Sequence, residues 1–299
     1  MSATILDGRA LSSEIRGELR DEVARFREQQ GYAPGLVIVR VGGDAASGVY
    51  TKAILRIAGE IGVQAYLEEL PALTSADELR ALLLQLNEDQ RTHGIIVQMP
   101  LPAHLSQKMV ADTVAPAKDI DGISPGSAGN LFLGLPSFLP STAAAVIEIL
   151  DRYRIPLAGK RVVILGRSNV VGKPLALMLL QRNATVSVCH SRTRDLTTLT
   201  RQADVLIAAV GRPRLVTAEM VRPGAVVIDV GINALPEGGI VGDVDFEAVR
   251  EVAAAITPTP GGVGPLTNVM LLKQCVRAAW LANASGLAEE APDLSVPQS

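Results

Sequence analysis

Aromatic side chains are scarce, at 3% of 299 residues. So few rings offer little for bases to stack on, which argues against a single-stranded nucleic-acid platform. Positive charge is not in excess either. Lys and Arg total 28 against 31 Asp and Glu, a net charge of −3 with a pI near 5.7. No basic stripe tracks a phosphate backbone, so no nucleic-acid partner is expected. The two cysteines, Cys189 and Cys275, are too few for a disulfide framework. Cys189 lies in an apolar run and reads as a small buried hydrophobe. The first ten residues carry Asp7 and Arg9 and hold no apolar signal segment. The stretch from Gly122 to Ile147 is uncharged, but Pro125, Pro136, Pro140 and four glycines break it. It cannot be the unbroken helix of about 20 residues that a bilayer demands. The expectation is a cytoplasmic protein without membrane partner or bound metal.

What is present is a large apolar fraction, 48%, in a chain long enough for two domains. Leu11, Ile15, Leu19, Val23 and Phe26 recur at helical spacing. Leu36–Val41 reads as a strand, ended by Gly42-Gly43. Ser47 opens a second helix with Tyr50, Ile54, Ile57, Ala58 and Ile61 on one face. Strand Val63–Leu70 follows, then a helix over Ser75–Leu86 with Ser75 and Glu78 as a capping box. Strand Gly94–Gln98 closes the series. After a helix over Thr142–Tyr153, a second alternation places strands at Arg161–Leu165, Thr185–Cys189, Val205–Ala209, Ala225–Asp229 and Ala254–Thr257. Helices begin near Gly172, Asp195 and Thr217, and a last helix runs from Leu266 to about Ala282. Alternation of this kind predicts an α/β protein with mainly parallel sheets.

One turn organises the second half. Val162–Leu165 is a short, mostly β-branched run, as in a buried parallel strand. Gly166 ends it, and Gly172-Lys-Pro174 opens a helix, with the proline in the first turn where its missing N–H costs nothing. Free N–H groups and the helix dipole at such a start favour phosphate. Five residues separate Gly166 from Gly172, so this is not the common G-x-G-x-x-G fingerprint. The second strand ends Cys189-His190-Ser191-Arg192-Thr193, with no carboxylate before Asp195. An acidic residue there would bind a ribose 2′-hydroxyl; Arg167 and Ser191 instead suit a 2′-phosphate, which favours NADP over NAD.

Taken in order, Val97-Gln-Met-Pro-Leu-Pro102, Lys118-Asp-Ile-Asp-Gly122, Gly166-Arg-Ser-Asn-Val-Val-Gly-Lys-Pro174, Val230-Gly-Ile-Asn233, Val241-Gly-Asp-Val-Asp245 and Pro260-Gly-Gly-Val-Gly-Pro265 resemble the bifunctional methylenetetrahydrofolate dehydrogenase/methenyltetrahydrofolate cyclohydrolase family. The resemblance covers about Leu6 to Trp280. It implies an N-terminal αβα folate-type domain, residues 1–141 plus 266–299, and a C-terminal Rossmann-like NADP domain, residues 142–265. It implies hydride transfer from a tetrahydrofolate derivative to NADP, hydrolysis of the methenyl product, and a homodimer. By position, Tyr50 would stack on the aminobenzoate ring and Gln98 would bond near the reacting carbon. Asp121 would hold the pterin, and Gly261, Gly262 and Pro265 would let backbone approach the folate. Gly166, Arg167, Ser168, Gly172, Ser191, Arg192, Gly211 and Ile232 would bind the cofactor.

Departures cluster in the folate half. The family's helix reads Ser-x-x-Tyr-x-x-x-Lys, and its lysine, central to the hydrolytic step, is Ile54 here. Lys52 is two residues from Ile54, about 200° around a helix, and cannot simply substitute. Arg56 stands at another commonly basic position. Pro140-Ser-Thr-Ala-Ala-Ala145 takes the place of Pro-Cys-Thr-Pro-x-Gly, and Ile-Ser-Pro follows Asp121-Gly122. The leading expectation is an NADP-dependent methylenetetrahydrofolate dehydrogenase with little cyclohydrolase activity. The alternatives are a fully bifunctional enzyme, a repurposed one-carbon paralogue, and a silent NADP- or folate-binding protein.

Overall fold

The computed structural model of the protein describes residues 2–43, 45–236 and 238–284, apart from the side chains of 45–47. The chain forms two compact units. One holds the described residues up to Ser13 and Pro140–Thr267; the other holds Glu14–Leu139 and the described residues from Asn268.

In chain order the elements are β1 (Thr4–Ile5), α1 (Gly8–Gln30), β2 (Gly35–Val41), α2 (Ala45–Ile61), β3 (Gln64–Leu70), α3 (Ala76–Glu88) and β4 (Gly94–Val97). Next come α4 (Gln107–Thr113), α5 (Pro125–Leu133), α6 (Ser141–Arg152), β5 (Arg161–Leu165), α7 (Gly172–Leu180), β6 (Thr185–Cys189), α8 (Leu196–Thr200) and β7 (Val205–Ala208). The series ends with β8 (Val226–Asp229), β9 (Asn233–Ala234), β10 (Ile240–Val241), α9 (Phe246–Arg250), β11 (Ala255–Ile256) and α10 (Gly264–Asn283).

The first unit is built on a six-stranded sheet of order β1-β11-β8-β7-β5-β6. All its ladders are parallel. Val162–Leu165 of β5 and all of β7 are buried, the continuous apolar pattern of strands covered on both faces. The chain leaves β5 for β6 on one side and then crosses to β7 on the other. Strand order therefore reverses at β5, and open α/β sheets bind ligands at the carboxyl ends flanking such a point. The placement of β1 departs from the expected 1–141 grouping: Thr4 and Ile5 pair with Ala255 and Ile256 in this sheet. A two-residue strand has no periodicity to betray it.

The second unit has a parallel sheet of order β3-β2-β4. Val37, Val39 and Val41 of β2, with Ile95 and Val97 of β4, pack against Leu79, Leu83 and Leu86 of α3 and Val110 and Val114 near α4. The capping box of α3 is formed: Glu78 N donates to Ser75 Oγ at 3.2 Å and Ser75 N to Glu78 Oε2 at 2.7 Å. Two expectations shift. Helix α2 begins at Ala45 rather than Ser47, and only a 3₁₀ turn, Ala218–Met220, follows Thr217. Helix α5 lies inside the uncharged stretch, opened by Ser124 and Pro125 and ended by Gly134 in the left-handed region.

His93 opens a pH dependence in this unit. Its Nδ1 accepts from Gly35 N at 2.9 Å and its Nε2 is buried without a partner. Burial, aided by the charge of Lys118, pulls its pKa from 6.5 down to about 4. The unfolded chain thus binds a proton in this window that the folded chain refuses. Stability from this group is complete above about pH 6.5 and is lost as pH falls to about 4, on the order of 3 kcal/mol in all. Urea melts from pH 7 to 4 should show a fall that His93→Gln flattens; equal slopes in the two proteins would contradict it.

Candidate functional site

The first unit carries the nucleotide-type residues at the carboxyl ends of β5, β6 and β7. Gly166 has φ 117°, and a Cβ there would lie 2.1 Å from Ala209 O. A Cβ on Gly172 would lie 2.2 Å from Gly166 O. The turn between strand and helix therefore closes only on glycine at both positions. Ser168 Oγ accepts from Val171 N at 3.1 Å, and Lys173 Nζ reaches Asn169 Oδ1 at 2.8 Å. Arg167 and Ser168 are exposed, as are Ser191 and Arg192 just past β6. Gly166 N donates to Cys189 O at 2.9 Å, so the two polar segments leave neighbouring strand ends. An exposed guanidinium with hydroxyls beside a glycine turn fits a phosphorylated nucleotide.

Gly211, at φ 64° past β7, is fixed by a residue that sequence reasoning gave no role. Asp243 is fully buried and accepts from Val210 N, Gly211 N and Arg212 N at 2.6, 3.0 and 2.8 Å, and from Asn233 Nδ2 at 2.9 Å. It ties the loop after β7 to the segment bearing Ile232, which is 63% exposed. Asp229 in turn accepts from Gly231, Asp243 and Val244 N–H groups. Burial pushes its carboxyl up to about 6 against those bonds. Asp243 was signalled only by membership of a motif and Asp229 not even by that; a buried strand-end aspartate looks like any turn aspartate in sequence.

The glycine-proline loop belongs to this unit too. Gly261 has φ 120°, and a Cβ on Gly262 would lie 2.6 Å from Pro258 O. Arg9 N donates to Gly261 O at 3.2 Å, and a Cβ on Gly8 would lie 1.7 Å from Gly262 O. Gly8 is thus as constrained as the loop it supports. Pro265 sits in the first turn of α10.

The second unit brings Tyr50 and Asp121 into one neighbourhood. Burial, with the negative charge of Asp121, pushes the Tyr50 phenol well above its ordinary value. Gln98 lies just past β4, is 7% exposed, and its Nε2 has no hydrogen-bond partner. A buried amide donor left unpaired costs about 1–3 kcal/mol and marks a place where a ligand acceptor would be welcome.

The loop carrying Asp121 is pinned by its neighbours. Lys118 Nζ donates to Leu86 O and Asp89 O at 2.9 and 2.6 Å. Asp119, 1% exposed, accepts from Ile123 N, Ser124 N and Ser127 Oγ at 3.0, 2.9 and 2.7 Å. Gln274 of α10 donates to Ile120 O and Leu139 O, each at 2.7 Å, and accepts from Leu139 N at 2.6 Å. Gly122 has φ 60°, and a Cβ there would meet Phe138 O at 2.6 Å. Asp119 and Gln274 are the supports that sequence reasoning missed, since an amide in an apolar C-terminal helix gives no sign of what it will hold.

Ile54 has no exposed surface and shares its stripe with Ile57, Ala58 and Ile61. Lys52 is exposed, and Arg56 pairs with Glu60 at 2.6 Å on the solvent side. Among the described residues, no group of His, Cys, Asp or Glu could hold a metal ion, and no helix is long and apolar enough to cross a membrane.

The catalytic-domain model for tetrahydrofolate dehydrogenase/cyclohydrolase matches residues 6–121, and the NAD(P)-binding-domain model matches 140–283. The bifunctional protein FolD of Moorella thermoacetica is 51% identical over 93% of this chain and 99% of its own. That of Herpetosiphon aurantiacus is 48% identical over 97% and 100%. Among solved structures, the Campylobacter jejuni bifunctional enzyme FolD superposes with a TM-score of 0.91 at 44% identity, covering 93% of this chain and 99% of that one. The Trypanosoma brucei methylenetetrahydrofolate dehydrogenase-cyclohydrolase, complexed with NADP cofactor and inhibitor, gives 0.90 at 37% identity over 95% and 99%.

Proposed function

Because the chain belongs to the tetrahydrofolate dehydrogenase/cyclohydrolase family, we propose that it oxidises methylenetetrahydrofolate to methenyltetrahydrofolate with NADP, and that hydrolysis of the methenyl product is slow. The observation that carries the substrate reading is the buried, unpartnered amide of Gln98 in the unit where Tyr50 and Asp121 interact. Asp121 accepts paired donors from the pterin, as a carboxylate can. Tyr50, a neutral phenol at physiological pH, adds no second negative charge beside Asp121 and stacks on the aminobenzoate ring. Gln98 fixes the one-carbon end. Bound NADP supplies the hydride acceptor. The oxidation is then a matter of orientation and calls for no general base. Hydrolysis does require proton movement, as water attacks and a folate nitrogen is released, and position 54 supplies no titratable group.

Arg167 and Ser191 are the 2′-phosphate ligands in this reading. Losing the guanidinium should cost about 1.5–3 kcal/mol, roughly ten- to a hundredfold in affinity. Titration of Arg167→Ala should therefore show weakened NADP and little change for NAD. A parent protein that binds NAD as tightly as NADP would refute the assignment.

The assembly is proposed to be a cytoplasmic homodimer. Light scattering at micromolar concentration should give about twice the 31.4 kDa chain mass; a monomer throughout that range would rule the dimer out.

A further inference from the structure

Two unpartnered buried donors lie side by side on one sheet face of the second unit. Side chains alternate along a strand. Val37, Val39, Val41, Ile95 and Val97 face α3, so Arg40 and Gln98 face the other way. Arg40 pairs in register with Glu69 of β3, and Val39 with Val97 of β4. Gln98 N donates to Val39 O at 2.8 Å, which carries the ladder one step past β4. Glu69, Arg40 and Gln98 therefore form one row across the carboxyl edge of the sheet. Arg40 is ion-paired to Glu69. Its Nη1 lies 3.3 Å from where a Cβ on Gly48 of α2 would stand, so glycine there leaves the guanidinium its room. Its Nε is buried without a partner, as is Gln98 Nε2.

A guanidinium only donates, whereas a glutamine amide offers one oxygen and one NH₂ group of nearly the same shape. With its oxygen toward the neighbouring arginine, the Gln98 amide would hold its NH₂ away from it. We propose that Arg40 is a positioning residue for Gln98, its Nε donating to the Gln98 carbonyl oxygen so that the NH₂ is presented to the one-carbon group of the substrate. That orientation satisfies both donors once substrate is bound. Glu69 and the glycine at 48 hold the guanidinium; an aliphatic residue at 40 would leave the amide free to turn. The inference rests on Gln98 belonging to the folate site.

The test uses the full chain with methylenetetrahydrofolate and NADP. Arg40→Met keeps length and removes the donor. Loss of one hydrogen bond that sets geometry should lower kcat about tenfold, with KM changed less and NADP affinity unchanged. Gln98→Ala should be at least as slow. Arg40→Met on a Gln98→Ala background should cause no further loss, because the arginine acts through the glutamine. Parent-like kcat in Arg40→Met beside a slow Gln98→Ala, or additive losses, overturns the inference and leaves the folate reading standing. A parent-like Gln98→Ala overturns the folate reading itself. Should Arg40→Met fail to fold, Glu69→Gln makes the same test at an exposed position: a smaller fall in kcat that vanishes on the Gln98→Ala background supports the relay, and parent-like kcat overturns it.

Discussion

Asp121→Ala should abolish detectable oxidation of methylenetetrahydrofolate while NADP affinity stays near the parent value. The carboxylate is presented by a loop whose neighbouring polar groups are already committed: Lys118 to carbonyls at the C-terminal end of α3, Asp119 to the start of α5, Gln274 to the backbone on either side. Replacing Asp121 by alanine leaves these neighbouring supports in place and deletes the proposed pterin acceptor. A paired charged contact of this kind is worth several kcal/mol when its partner's donors are left unsatisfied. The variant should also return the Tyr50 phenol toward its ordinary value, since the Asp121 charge is one of the two causes holding it up. A spectroscopic titration of Tyr50 checks this without turnover. Oxidation at the parent rate would show that Asp121 does not hold the pterin.

The second large effect concerns position 54. Ile54→Lys should raise methenyl hydrolysis on the order of 10²-fold, the usual contribution of a positioned proton-transfer group. Structure adds a cost that sequence alone did not show. Ile54 has no exposure and lies in the apolar stripe of α2, so an ammonium there is desolvated and its pKa falls. The variant should melt earlier than the parent, and its hydrolysis should rise with pH as the buried amine deprotonates. A gain in hydrolysis without that titration would assign the chemistry to another group.

Much of the fold was legible because periodicity is a direct record of burial. Leu36–Val41 and Arg161–Leu165 announced strands by apolar content, and Ser75 with Glu78 announced a cap three residues wide that the structure forms. Short elements escaped. β1 has two residues and α9 five, too few for any period to register, whereas the equally short α8 begins where the sequence placed it, with Asp195 at its N-cap. Helix α5 hid in an uncharged stretch where Pro125 and Gly134 mark its two ends and Gly126 and Gly129 lie within it. At the site, residues whose type is their signal were visible: Gly166 and Gly172 announced the closed turn that the structure forms. Residues whose value lies in burial were not. Asp119, Asp229, Asp243 and Gln274 read as ordinary polar positions until their backbone partners are seen.

The most direct measurement is a single turnover of the parent enzyme with methylenetetrahydrofolate and excess NADP, following NADPH, methenyl and formyl products together. If oxidation is the working reaction and Ile54 leaves hydrolysis without a proton-transfer group, methenyltetrahydrofolate accumulates one for one with NADPH and formyltetrahydrofolate lags well behind. Formyltetrahydrofolate appearing in step with NADPH, with no methenyl accumulation, would contradict that division of labour.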